Sequence, residues 1–161
     1  MADTDWPEVR RVYAEGIATG DATLEREAPD WNHFDHSHRH DCRLVACDRT
    51  GGPVLGWTAL TAYSSRRVYA GVAWESVYVG VDARGRGVGR ALLEALIPAS
   101  EAVGLWTLLA GVLADNAPSL ALHEAVGFRR VGVQHGMGQD ATGRWRDVIL
   151  LERRSSIVAR D

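Results

Sequence analysis

The residues with the clearest chemical signature are Arg84-Gly85-Arg86-Gly87-Val88-Gly89, three glycines at alternate positions among arginines. Alternate glycines let a backbone take conformations barred to other residues and approach a ligand closely. The stretch comes after an apolar run ending in Val77-Tyr78-Val79 and precedes a helical pattern. Several N–H groups therefore converge where the positive end of a helix begins, an arrangement suited to a phosphate or pyrophosphate. Arg84, Arg86 and Arg90 add charge nearby. Two other phosphate loops fail on spacing. A P-loop needs Gly-Lys-Ser/Thr, and the chain has no lysine. A dinucleotide fingerprint needs a third glycine at position 90, which is Arg90.

A second grouping has metal-ligand residue types: His33, His36, His38 and His40, with Asp35, Asp41 and Cys42. Zinc needs three or four such groups to converge. On a helix His33, His36 and His40 share one face and His38 points elsewhere, so no metal is expected.

These residues must be carried by elements legible in the pattern. Asp5 and Glu8 have capping-box spacing, Pro7 suits a first turn, and Val9, Val12, Tyr13 and Ile17 come next at helical intervals. Residues 31–40 read as a second short helix and 43–48 as the first clear strand; Cys42 just before it and Cys47 within it read as small buried hydrophobes. Strands over 54–63 and 68–81 come next, the latter leading into the glycine loop. The next helix carries Val88, Leu92, Leu96, Ala99 and Val103 on one face. A strand over 106–112, a helix over 117–126 ending at Gly127, and strands over 128–133 and 145–152 complete the chain. Strands interspersed with helices, without strict alternation, predict an α/β (α+β) fold with a mixed sheet covered by helices.

The 161 residues suit one domain over 1–161, with no repeat or linker. All 18 basic residues are arginines, and the formal net charge is -3, which does not advertise nucleic acid as a partner. Two cysteines are too few for a disulfide framework. No run approaches the roughly 18 apolar residues that span a bilayer, and residues 1–11 lack an apolar signal core, so a cytoplasmic protein without membrane partners is expected.

The Val-Tyr-Val run and the Arg-Gly-x-Gly-x-Gly loop resemble the acetyl-CoA motif of the GNAT N-acetyltransferases. Further segments narrow the match. Glu15–Thr23, Arg66-x-Val68-Tyr69-Ala70-Gly71-Val72-Ala73, Asn116–Glu124 and Gly143–Val148 are similar to the phosphinothricin acetyltransferase branch. So is Trp31-x-x-Phe34-Asp35-x-x-His38. The resemblance implies the GNAT fold, a central mixed, mostly antiparallel sheet between helices. The family opens with a short strand before the first helix. Here the helix cap is reached by Asp5, so either the natural start lies upstream or the sheet is expected to lack that edge strand or carry it truncated.

The resemblance also implies acetyl-CoA as co-substrate. Backbone N–H groups of Arg84, Gly85, Arg86, Gly87, Val88, Gly89 and Arg90 would hold its pyrophosphate. Val77, Tyr78 and Val79 would pair with its pantetheine arm as a strand edge, the logic of strand addition. Asn116 and Ser119 match positions near that arm. The family glutamate of the third strand falls at Trp74, while Glu75 lies one residue later and on the other face. Either a bulge re-aims Glu75 as general base, or another group serves, Glu25 being the next choice. His123 matches the position of the thiolate's proton donor. Arg66 and Tyr69 match acceptor-pocket positions, with Arg66 suited to a carboxylate or phosphinate. Trp74 would make that pocket bulkier and less acidic.

The activity implied by the resemblance is acetyl transfer to the amino group of a small amino-acid-like acceptor of phosphinothricin or methionine sulfoximine type, by a homodimer. Two alternatives stand beside it: another amine such as a free amino acid or polyamine, and a non-catalytic CoA-binding sensor.

Overall fold

One six-stranded sheet orders the chain, and the computed structural model describes residues 1–159 of it. The last two positions of the expected 1–161 domain lie outside the described residues. The strands are β1 (Leu44–Cys47), β2 (Val54–Ala62), β3 (Val72–Val79), β4 (Thr107–Leu113), β5 (Arg129–Gln139) and β6 (Trp145–Arg154), in spatial order β1-β2-β3-β4-β6-β5. Every neighbouring pair is antiparallel except β3 and β4. That parallel pair needs a long crossover, which α3 (Val88–Ala102) supplies.

The two faces bury different cores. Helices α1 (Trp6–Ala18) and α2 (Trp31–Ser37) cover one face with an aromatic-rich cluster of Trp6, Val9, Val12, Phe34 and Trp57. The opposite face carries an aliphatic cluster in which Leu93 and Leu96 of α3 and Leu120 of α4 (Ala117–Ala125) meet Leu60, Leu108 and Leu151. Strand β3 runs between them with the expected period of two. Tyr78 packs into the aromatic cluster, while Ala73 and Val77 belong to the aliphatic one.

The feature that makes a site is a parting of two strands. The β3–β4 ladder has only three pairs, Val72–Thr107, Ala73–Leu108 and Trp74–Leu109. Beyond it, β3 stays paired with β2 as far as Val79, and β4 stays paired with β6 as far as Leu113. The sheet therefore forks immediately after Trp74. Backbone groups of residues 75–79 that would face β4 are left for another partner.

Several sequence expectations need correction. The third strand begins at Val72 rather than residue 68, because Arg67–Tyr69 forms a 3-10 turn. The second helix stops at Ser37, since His38 is extended. The strand after Gly127 runs on to Gln139 through two bulges. Asp5 does not cap α1: its Oδ2 accepts from the N–H of Ala2, and Glu8 pairs with Arg11. Cys47 is exposed, and Cys42, half-buried against the aliphatic core, precedes β1 at φ 60°. Gly127 does terminate its helix, at φ 92°, with its N–H on Glu124 O and that of Phe128 on His123 O. No strand precedes α1 among the described residues, and the four-residue β1 forms that edge of the sheet.

The histidine-rich segment serves a buried arginine. Arg43, 7% exposed, donates from Nε to Arg39 O (2.6 Å), from Nη1 to Asp35 Oδ1 (2.5 Å), and from Nη2 to Asp35 O (2.7 Å) and His38 O (2.6 Å). Its guanidinium also lies over the rings of Trp31 and Phe34. Among the described residues no three His, Cys, Asp or Glu groups are placed to hold a metal. No described helix is long and apolar enough to cross a membrane.

Candidate active site

A groove of about 640 Å3 opens along the fork. One wall is the edge of β3, Val77 to Val79, continued by the glycine loop. Gly85 and Gly87 sit at φ 72° and 80°, a region where a side chain is strained, so the alternate glycines are required by conformation. No side chain caps α3, and its first helical bond runs from Ala91 N to Gly87 O. The N–H groups of Val88, Gly89 and Arg90 consequently lack intrahelical acceptors and add to the positive helix end. Close packing brings this helix end near α4: a Cβ on Gly89 would stand 3.0 Å from Leu122.

The facing wall comes from α4 and from the loop after α1. Asn116 Oδ1 accepts from the N–H of Ser119, capping α4, while its Nδ2 donates to Asp21 O at 2.9 Å. Thr19, Asp21 and Ala22 complete that side. Of the residues expected at the coenzyme, Val77, Tyr78, Val79, Arg84, Gly85, Gly87, Val88, Gly89, Arg90, Asn116 and Ser119 all line this groove. The Arg86 side chain does not: it turns away to Asp48 at 3.0 Å.

A smaller cavity of about 70 Å3 abuts the groove and is bordered by Glu75 and His123. The β2–β3 ladder runs residue for residue from Gly56–Val79 to Ala62–Ala73, so no bulge in it re-aims Glu75. Instead the ordinary alternation points Glu75 toward α4 just where the sheet parts. There Glu75 Oε1 lies 2.5 Å from His123 Nε2, with each side chain 2% exposed. His123 Nδ1 is 2.7 Å from Ser119 O, a pure acceptor, so Nδ1 carries a proton and Nε2 faces the carboxylate. Burial pushes the imidazole pKa down, but the hydrogen bond and charge of Glu75, with the Ser119 carbonyl, outweigh it and raise it above 6.5. The second oxygen, Glu75 Oε2, is buried without a hydrogen-bond partner. A buried carboxylate oxygen left open costs free energy unless a ligand uses it.

Three of the expected acceptor residues, Arg66, Tyr69 and Trp74, gather on the other face. Trp74 lies near Tyr63, Tyr63 near Tyr69, and the Arg66 guanidinium stands 5.2 Å over the Tyr69 ring. Glu25 lies in the loop after α1, its N–H donating to Thr23 Oγ1. Burial first, and then the Glu25 charge among lesser causes, holds the Tyr13 and Tyr78 phenols above their usual 10.0. The fold thus brings Glu75 and His123 together and leaves Glu25, Arg66, Tyr69 and Trp74 apart from that pair. Sequence reasoning missed Thr19, Asp21 and Ala22 in the groove wall and the Ser119 carbonyl that fixes His123. Thr19, Asp21 and Ala22 lie in the branch-like 15–23 segment but reach the groove only through loop closure, whereas the Ser119 carbonyl meets His123 by the i, i+4 spacing within α4.

The sequence profile of the Acetyltransferase (GNAT) family matches residues 6–128. A phosphinothricin N-acetyltransferase of Alcaligenes faecalis is 36% identical over 95% of this chain and 79% of its own length. An L-methionine sulfoximine/L-methionine sulfone acetyltransferase of Pseudomonas paraeruginosa is 30% identical over 92% of this chain and 88% of its own. A phosphinothricin acetyltransferase of Sinorhizobium meliloti, solved in complex with AcCoA, superposes at TM-score 0.84. It is 27% identical and covers all of this chain and 94% of its own. With a forked sheet, an open glycine cradle and relatives matched over most of their own length all pointing one way, the chain belongs to the GNAT family of acetyltransferases.

Proposed function

We propose that this chain transfers the acetyl group of acetyl-CoA to the amino group of a small amino-acid-like acceptor, as its named relatives do with phosphinothricin or methionine sulfoximine. The observation that carries this is the buried Glu75–His123 pair, seated at the fork beside the glycine-loop groove. The residues fit the coenzyme. Uncapped N–H groups at the start of α3 and the glycine loop suit its pyrophosphate, and the unpaired edge of Val77–Val79 suits its amide-bearing arm. Bound acetyl-CoA supplies a thioester carbonyl open to attack and a thiolate leaving group.

This chain's own part is proton handling. An ammonium must lose a proton before its nitrogen attacks, and Glu75 Oε2 is the open, buried acceptor for it. His123, held by Ser119 O, shares the proton at Oε1 and steadies the carboxylate. Oε2 takes the first proton from the ammonium and passes it on to solvent. The second proton, shed by the nitrogen as the C–N bond forms and the C–S bond breaks, goes to the departing thiolate, so the charge of the pair is unchanged over a cycle. On the other face, Arg66 is the group for an acceptor carboxylate or phosphinate, with Tyr69 and Trp74 as walls and Glu25 near the Tyr13–Tyr78 phenols.

We also take the chain as one domain that works as a cytoplasmic homodimer. Strand β5 supports the dimer: it is a sheet edge on which Val131, Val133 and Met137 are about half exposed. Sedimentation at micromolar concentration tests this, and a monomer there contradicts it.

The activity is tested by thiol release from acetyl-CoA across phosphinothricin, methionine sulfoximine, free amino acids and polyamines. Amine-dependent release, fastest with the first two and lost in Glu75→Gln, is expected. No release with any amine, despite CoA binding, contradicts catalysis and favours a sensor.

A further inference from the structure

We propose that Arg146 is a positioning residue for the coenzyme groove, tying the loop after α1 to the start of α4 and masking two carboxylates that line the groove wall. The proposal rests on the reading of the groove as a coenzyme site. Arg146 lies on β6 and is only 7% exposed. Its Nη1 donates to Gly20 O (3.0 Å) and Asp140 Oδ2 (3.4 Å), and its Nη2 to Asp21 Oδ1 (3.1 Å) and Asp115 Oδ2 (3.3 Å). One side chain thereby joins three loops, the farthest of them 126 residues away in sequence at Gly20. A planar fork of donors suits this task, and a lysine ammonium does not.

The connection continues inward. Asp21 O receives Asn116 Nδ2, Asn116 Oδ1 receives Ser119 N, and Ser119 O receives His123 Nδ1. A shift of the Gly20–Asp21 segment is passed through these bonds to the helix start that holds His123. The electrostatics run the same way. Asp21 and Asp115 line the groove, and two free carboxylates there would repel a polyphosphate ligand. Arg146 pairs with both, sharing Asp115 Oδ2 with Arg144 at 2.7 Å and holding Asp21 by itself, so Asp21 is the carboxylate its loss exposes. Among the described residues the other buried arginine is Arg43, whose guanidinium binds α2 and the segment after it, and none of its side-chain partners lines the groove.

That contrast gives the experiment: calorimetric Kd for CoA in the wild type, Arg146→Gln, Arg146→Lys and Arg43→Gln, at low and high salt, alongside thermal melting. Arg146→Gln is expected to weaken CoA roughly tenfold, less so at high salt, with partial recovery when Asp21→Asn is added. Arg43→Gln should lower the melting temperature and leave Kd within about twofold. If Arg146→Gln does not fold, Arg146→Lys decides, since it keeps the charge and loses the forked bonds, and its Kd must still rise. A folded Arg146 variant with wild-type Kd, or an Arg43 variant equally impaired in binding, overturns the proposal. A wild type that binds no CoA would instead overturn the coenzyme reading itself.

Discussion

Replacing either member of the Glu75–His123 pair should separate stability from chemistry in opposite ways. Both side chains are 2% exposed and joined at 2.5 Å. His123→Ala strands a carboxylate in the fork, and breaking a buried pair from one side costs about 3–5 kcal/mol. For a chain of this size that is roughly 6–20 °C of melting temperature, at about 2–4 °C per kcal/mol. Glu75→Gln keeps the shape and lets the amide donate to a neutral Nε2, so it forfeits only the charge assistance, about 1 kcal/mol. It does remove the proton acceptor, and general base catalysis contributes about 10²–10⁴-fold. The assay pairs thermal melts with thiol release across pH. Glu75→Gln should melt within a few degrees of wild type yet turn over at least about a hundredfold more slowly. Near-normal turnover of Glu75→Gln at all pH values, or a His123→Ala variant as stable as wild type, refutes the reasoning.

The same structure predicts further outcomes. Arg66→Lys should raise the acceptor KM about tenfold, by losing paired hydrogen bonds to a carboxylate or phosphinate, while the Kd for CoA holds. Gly71→Ala should destabilise by about 1–3 kcal/mol, because the added Cβ would stand 2.0 Å from the Trp106 ring; urea unfolding measures it. Stability should fall at both ends of a pH series of urea midpoints. Asp140 is held down to about 2, first by Thr142 and also by Arg146, so its contribution is present above 3.8 and lost as pH drops toward 2. His123 has the opposite sign: raised above 6.5 by Glu75 against burial, it stabilises below that value, and the gain is lost as pH climbs past its folded pKa. In Asp140→Asn the acid limb should flatten and the alkaline limb persist.

The glycine cradle was legible because it is local. Its chemistry lies in consecutive residues, and positive φ at Gly85 and Gly87 is what alternate glycines announce. The alternation that put Glu75 and Trp74 on opposite faces was equally readable. What escaped was the fork, which depends on where a parallel ladder ends and has no residue signature. Without it, Glu75 stands one residue out of place and a bulge is needed to bring it in. His123, 48 residues away, meets Glu75 only because α4 crosses the opening. The segment Trp31, Phe34, Asp35 and His38 matched its branch in pattern, but its purpose, a cradle for Arg43, needed tertiary contacts. Strand ends were the least legible, as at Val68 and Tyr69, strand-favouring residues that lie in the 3-10 turn Arg67–Tyr69 instead.

The central claim is that main-chain amides of residues 84–90 grip the coenzyme, and titration calorimetry with acetyl-CoA tests it most directly. Wild-type protein should bind one equivalent per chain, and Gly87→Val, strained at φ 80° in an open position, should bind roughly tenfold or more weakly while remaining folded. A folded wild type with no heat of binding, or a Gly87→Val variant that binds as tightly, would contradict it.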